Sequence, residues 1–300
     1  MKRPSLRNFI LTFAILGLFA CQEKINKKPV ESEEDKAEIL LKSKEKAESI
    51  KTIFYSLPSP LELTILFKKE GVEYHYDKLH NTLERDKYIT TVKKGLNLGI
   101  YGADLSYAGL FAKHSDAIQY FSVSHLLASD LGIGQTFQKE FITRLENNAN
   151  NKDTLLQVIT DFFLENDSYL KDQNQQNIST YVLVGGWIEG LYLGTHMISE
   201  KTNAEGIREI IIGQLASLNN LLLLLDDIGK SQEMQLLKSN MELLRSYYGE
   251  MEPVETEEAK TKIEEGELVI DTGEELAVIS DETFEKIKNL VTKIRSSIIR

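Results

Sequence analysis

Apolar residues recur along most of this chain at steps of three and four, the spacing that gives a helix one buried face. In the stretch 32–57 (SEEDKAEILLKSKEKAESIKTIFYSL), Ser32 can cap a helix, and Glu33, Glu34 and Asp35 complement its positive end. Leu40, Leu41, Ala47, Ile50, Ile53, Phe54 and Leu57 then supply the stripe. The next four residues of interest, Ser59, Pro60, Leu61 and Glu62, form a capping box with proline at the first helical position, and predict a short helix to about Lys69 that Gly71 stops. A smaller helical piece is predicted near 77–84 and a long periodic segment over 88–112. Further helices are predicted over 114–131, 136–148, 153–170, 176–200, 204–227 and 230–248. No strand–helix–strand alternation interrupts them. Leu221, Leu222, Leu223, Leu224 and Leu225 before Asp226 and Asp227 mark a helix end buried on all sides, since five residues are too few to span a bilayer.

The last fifty residues change character. Residues 250–267 are acidic and contain Pro253, which predicts a solvated excursion. Residues 267–280 (ELVIDTGEELAVIS) are β-branched and predict a small hairpin around Thr272 and Gly273. Ser280 or Asp281 then caps a final helix whose Phe284, Ile287, Leu290, Val291, Ile294 and Ile298 keep helical spacing, so that it packs back onto the others. The expected fold is all-α, a multi-helix bundle over 32–300 with an acidic loop and small hairpin at about 250–280.

The first residues follow another logic. Lys2, Arg3 and Arg7 precede an almost wholly apolar run, 9–20 (FILTFAILGLFA), and polar Gln22, Glu23 and Lys24 follow Cys21 at once. A bilayer core requires about 20 apolar residues in a helix, so 1–20 read as a signal peptide rather than a permanent span. Leu18, Phe19, Ala20 and Cys21 resemble the lipobox of bacterial lipoproteins, in which the cysteine thiol receives a diacylglycerol, the bond before it is cut and the new amino terminus is acylated. Phe19 departs from the small or β-branched residue usual there. The alternative is an ordinary cleaved signal peptide with an incidental cysteine; that Cys21 is the chain's only cysteine favours lipidation. Each buried CH₂ contributes about 0.8 kcal/mol, so three acyl chains would hold the protein at a membrane effectively permanently. Residues 21–31, polar and with Pro29, read as the lipidated tether.

Charge and composition narrow the classes further. The 300 residues are 42% hydrophobic and 27% charged, with 35 Lys and Arg against 46 Asp and Glu, a formal net charge of −11. Loss of Lys2, Arg3 and Arg7 with 1–20 makes the mature body more acidic still. A nucleic-acid binder draws its affinity from a cationic surface, so nucleic acid is excluded as a partner. One cysteine excludes a disulfide framework and a multi-thiolate zinc site. An acidic body on an anionic bilayer would stand off the surface on its tether.

Two glycine-bearing segments carry the candidate chemistry. Gly95, Gly99, Gly102, Ser106 and Gly109 recur at steps of four, three, four and three, and Gly186, Gly190 and Gly194 at steps of four. A mid-helix glycine costs about 1 kcal/mol relative to alanine, so such stripes call for close helix packing, for instance of these two segments on each other, or for a ligand in the groove. Each segment also carries an acid among apolar neighbours, in the same pattern of acid, two residues, tyrosine, one residue, glycine. These are Asp104, Tyr107 and Gly109, and, about 85 residues on, Glu189, Tyr192 and Gly194, as in an internal duplication. A buried carboxylate must be paired, hydrogen-bonded or neutral. His196, seven residues beyond Glu189, His114, His125 and Arg144 are the expected partners.

Two readings follow from these residues. Asp104, Tyr107, Glu189, Tyr192 and His196 are either a structural network of buried acid, phenol and imidazole, or a site between helices for a metal or small polar ligand. A di-iron site is disfavoured because the paired Glu-x-x-His motifs of bundle carboxylate proteins are missing. The sequence holds no His-Glu-x-x-His, Gly-x-Ser-x-Gly or phosphate-binding Gly-rich motif, so no residue is assigned a catalytic role and no cofactor is expected beyond the lipid on Cys21. Tyr74, His75, Tyr76, Asp77 and His80 read as a loop entering a helix rather than as metal ligands, and Gly132, Ile133 and Gly134 as a helix terminator.

The segments LNLGIYGADLSYA (96–108) and VGGWIEGLYLGTH (184–196), with the closing ISDETFEKIKNLVTKIRSSI, resemble uncharacterised helical lipoproteins of Bacteroidota. That resemblance implies a lipid-anchored helical domain and transfers no activity, cofactor or site. The expected location is the bacterial cell envelope, at the outer membrane, although Gln22 and Glu23 do not decide which membrane. The expected function is a non-catalytic binding or interaction module whose partners are the membrane, through its anchor, and an envelope protein or small ligand. The alternative is a small-ligand or metal-binding protein centred on Asp104 and Glu189.

Overall fold

A computed structural model describes residues 60–133, 143–144, 152–173, 175–228, 231–250, 252–253, 261–264, 267–270 and 277–300. All of them fall in one compact unit, Ser49–Arg300. The expectations for the signal peptide, Cys21, the tether and the helix over 32–57 lie outside the described residues, as does nearly all of the helix expected over 136–148.

Among the described residues there are nine α-helices: α1 (Pro60–Lys69), α2 (Thr91–Leu110), α3 (His114–Asp130), α4 (Lys152–Asp172), α5 (Gln176–His196), α6 (Ala204–Ile212), α7 (Leu215–Asp227), α8 (Gln232–Tyr248) and α9 (Asp281–Ile299). The fold is the all-α bundle that the apolar spacing predicts. α2 and α5 form its centre and pack most extensively on each other. From Gly95 to Leu110 every residue of α2 is buried, and α5 is buried over most of its length from Ile178 to Thr195. A helix apolar on all sides has to be covered on all sides. Accordingly α1, α3, α4 and α9 contact α2, while α1, α4, α6, α7 and α9 contact α5.

The glycines explain how the central pair approaches so closely. A Cβ on Gly99 would strike the Val182 carbonyl and come within 2.6 Å of the Gly186 nitrogen, and one on Gly185 would meet the Leu96 carbonyl. Here main chain faces main chain, so no side-chain rotation could relieve the clash. The other glycines of the two stripes serve different neighbours. Gly95 faces the Tyr181 Cβ at 2.8 Å, Gly102 the Phe163 ring, Gly190 the Leu63 Cδ1 at 2.9 Å, and Gly194 the Phe67 ring. The stripes therefore divide between the α2–α5 seam and the seats of α1 and α4, and the contributor at the seam on α5 includes Gly185, outside the expected set. Gly109 is buried at the last turn of α2.

Helix ends follow the local chemistry. Gly71 at φ +86° ends α1 with Val72 N–H donating to the Phe67 carbonyl at 3.2 Å, and Gly132 at φ +76° ends α3 with Ile133 N–H donating to the Ala128 carbonyl at 2.8 Å. Thr90, Asn203, Ser231 and Ser280 cap α2, α6, α8 and α9 through their side chains.

Four expectations are corrected. The helix over 204–227 is two helices, because Gln214 turns its amide back to the Ile210 carbonyl at 3.2 Å and accepts from the Trp187 indole at 3.2 Å. This stretch is apolar and long enough to cross a membrane by composition, yet it is broken there; Ile207, Ile211, Leu218, Leu221 and Leu225 lie in the core, while Leu223 is exposed, so the leucine run is not buried on all sides. The piece at 77–84 is not α-helical but two 3-10 turns, Tyr76–Lys78 and Thr82–Lys87. The hairpin at the C-terminal side is displaced from Thr272 and Gly273. β2 (Thr261–Glu264) pairs antiparallel with β3 (Glu267–Ile270), placing Glu264 opposite Glu267, while β1 (Glu252–Pro253) pairs with β4 (Ala277–Val278).

Candidate functional site

Asp104 in the middle of α2 and Glu189 in the middle of α5 are both fully buried. The glycine seam brings their helices so close that the two carboxyl groups come within hydrogen-bonding reach of each other. The partner that neutralises the pair is Arg295 of α9. Its Nη2 donates to Glu189 Oε1 at 2.8 Å and its Nε to Oε2, a two-pronged pair in which the arginine is itself only 8% exposed. Arg295 also donates from Nη2 to the Lys78 carbonyl at 3.4 Å and lies 4.1 Å over the Tyr192 ring.

One guanidinium can balance one carboxylate. Asp104 Oδ2 accepts from the His80 backbone N–H at 3.0 Å, whereas Oδ1 has no conventional donor. Burial, then the charge of Glu189, raise the Asp104 carboxyl well above its ordinary value, against the opposing effects of Arg295 and the His80 N–H. Asp104 is therefore the neutral member. A protonated Asp104 carboxyl can donate to Glu189, which lies within its reach. The result is a buried relay in which Arg295 pairs with Glu189 and the Asp104 carboxyl beside them is held toward its neutral form.

Around this relay, side chains from the helices seize the main chain of the segment 72–88. Tyr101 donates its hydroxyl to the Asn81 carbonyl at 2.9 Å, Tyr120 to the His80 carbonyl at 3.0 Å, and Tyr107 to the Glu73 carbonyl. The His75 N–H in turn donates to the Tyr107 hydroxyl at 3.0 Å. These bonds account for the failure of 77–84 to become an α-helix: its carbonyl and N–H groups are claimed by the core. His80 is buried, stacks on Tyr101 at 4.8 Å between ring centres and meets the Tyr88 hydroxyl through Nε2. Burial, with Arg295 nearby, lowers its pKa to about 4, so His80 is neutral. Burial holds Tyr101, Tyr107 and Tyr120 protonated and pushes Tyr88 up to about 12.

The expected set is thus only partly assembled. Asp104 and Glu189 meet, and Tyr192 lies beneath the arginine that pairs with Glu189. His196 is not a partner of Glu189: its Nε2 lies 3.1 Å from Thr292 Oγ1, and its Nδ1 2.9 Å from the Tyr192 carbonyl, because two helical turns carry it past the acid. Tyr107 points to the 72–88 segment. Of the other expected partners, Arg144 pairs with Asp161 at 2.8 Å, and neither His114 nor His125 reaches the acids. Arg295, Tyr101 and Tyr120 were missed in the sequence, and His80, which it raised only as a loop residue, was not tied to the acids. The signal for Arg295 was present: it stands four residues after Val291 and next to Ile294, a cation on the apolar side of α9.

Among the described residues no group of three or more His, Cys, Asp or Glu side chains is arranged to hold a metal ion. His75 and Asp77, which the sequence also raised, lie 3.9 Å apart at the surface. No family model matches the chain, and no curated protein or solved structure matches it.

Proposed function

We propose that this protein is a lipid-anchored interaction module of the bacterial cell envelope, tied to a membrane through Cys21, and that its buried acids serve the fold rather than a reaction. The observation that carries the second half is the closure of the site on itself. Both Glu189 oxygens are taken by Arg295, and Asp104 is engaged by the His80 N–H and by Glu189. A ligand entering there would have to displace a desolvated ion pair, whose disruption costs about 3–5 kcal/mol. The first half rests on the order of charge, apolar run and cysteine in 1–21 and on the polar residues that follow.

A native mass spectrum with elemental analysis of the purified protein tests the reading. We expect the mass of the lipidated chain with no stoichiometric metal or small-molecule adduct. An adduct lost specifically in Asp104→Asn and Glu189→Gln would establish a ligand site between α2 and α5 instead.

A further inference from the structure

The two most exposed large apolar side chains among the described residues lie six positions apart in one segment, Leu83 at 88% and Ile89 at 83% exposure. Neither can retreat inward. Between them Tyr88 is buried with its hydroxyl on His80, and just before them Tyr101 holds the Asn81 carbonyl while the Asn81 side chain accepts from the Leu83 N–H at 3.0 Å. On the far side Thr90 accepts from the Lys93 N–H and starts α2. The buried tyrosines that make the acid site a structural lock thus fix two aliphatic side chains outward, about 15 Å apart along the chain at the rises of a 3-10 turn and an extended residue. Side chains held in this way lose little freedom when they enter another phase.

The charges around them are already neutralised. Arg85 pairs with Asp86 at 2.7 Å and Asp130 at 2.9 Å, Lys87 with Glu84 at 2.8 Å, Lys94 with Asp130 at 3.5 Å, and Lys93 with Glu233 at 3.5 Å. The chain's formal charge of −11 holds the body off an anionic surface, yet the cations of this segment and the start of α2 each have an acid, so the tip itself adds no local net charge to that repulsion. Protruding aliphatic tips on a segment whose own charges are paired are the chemistry of shallow insertion below headgroups. We infer that Leu83 and Ile89 form a second, shallow contact with the lipid bilayer, seating the helical body on the membrane that Cys21 ties it to. The inference rests on the lipid-anchor reading: 38 residues separate Cys21 from Pro60, and the anchor keeps the tip at high local concentration over the bilayer whatever path they take.

The test uses the full lipidated protein in vesicles of phosphatidylethanolamine and phosphatidylglycerol, with and without brominated acyl chains. Leu83→Trp and Ile89→Trp are compared with Leu223→Trp, which places tryptophan at a 53% exposed site on α7, and with the parent, whose Trp187 is buried. We expect blue-shifted emission and at least twofold quenching by brominated lipid for the two tip variants alone. Vesicle-bound protein in which the tip variants are quenched no more than Leu223→Trp overturns the tip and leaves the anchor standing. A blue shift that ignores brominated lipid and grows with protein concentration overturns it in favour of a second copy of the chain. Parent protein that does not float with vesicles overturns the anchor, and the tip with it.

Discussion

Arg295 reaches Glu189 across 106 residues of sequence, and that distance decides what the chain reveals at the scale of single residues. The two acids were legible, because an acid amid glycine and aliphatic neighbours has to be explained, and the repeated pattern with tyrosine tied Asp104 to Glu189. Their cation was not, because helical spacing relates residues within one element and says nothing of which elements meet. For the same reason His196 was the wrong partner: seven residues place it on the same side of α5 but about 10 Å further along it. His80, which the sequence placed in a loop and not beside the acids, supplies the residue-scale prediction. Its folded pKa of about 4 lies below the ordinary 6.5, so between those values the unfolded chain binds the extra proton and stability falls as the pH drops through that window. Asp104, raised above 3.8, works in the opposite direction, losing stability as the pH rises. Comparison with His80→Gln separates the two. Urea unfolding at pH 7 and pH 4.5 should show a parent that loses up to about 3 kcal/mol more than the variant over this interval. Equal losses would contradict a buried neutral His80.

At the scale of elements, periodicity located the helices well and their joints less well. α3, α4, α8 and α9 fall within a few residues of expectation, since each has an apolar stripe. The break between α6 and α7 was hidden because Gly213 sits in right-handed helical geometry, and the interruption comes from Gln214 finding Trp187 in a different helix. The 72–88 segment likewise depends on tyrosines of α2 and α3. The glycine stripes were readable as close packing, but not as contacts with four separate elements. Their difference in kind is measurable. Gly99→Ala sets a Cβ against main chain of α5 and should cost about 3 kcal/mol, lowering the Tm by about 6–12 °C. Gly102→Ala meets only the tip of the partly exposed Phe163 ring, 2.5 Å from Cζ, and gains about 1 kcal/mol of helix propensity, so its Tm should stay within about 4 °C of the parent. A Gly99→Ala protein as stable as Gly102→Ala would mean that α2 and α5 do not meet through this seam.

At the scale of the whole molecule, the all-α class followed from helical spacing and from the absence of alternating strand patterns, while function rests on the two ends of the argument, the address in 1–21 and the closed acid site. The address predicts that Cys21→Ala abolishes incorporation of labelled fatty acid and leaves the precursor unprocessed; continued labelling would remove the anchor from the account. The acid site is closed by contacts within the fold, and equilibrium unfolding of two isosteric variants probes its structural role most directly. If Asp104 is the neutral acid, Asp104→Asn keeps both a donor to Glu189 and an acceptor for His80, and should change stability by no more than about 1 kcal/mol. Glu189→Gln leaves Arg295 buried without its counter-charge and should cost about 3–5 kcal/mol. That inequality is the result the account predicts. A Glu189→Gln protein as stable as the parent would contradict it, because a carboxylate that can be neutralised without cost to the fold is not balancing a buried Arg295.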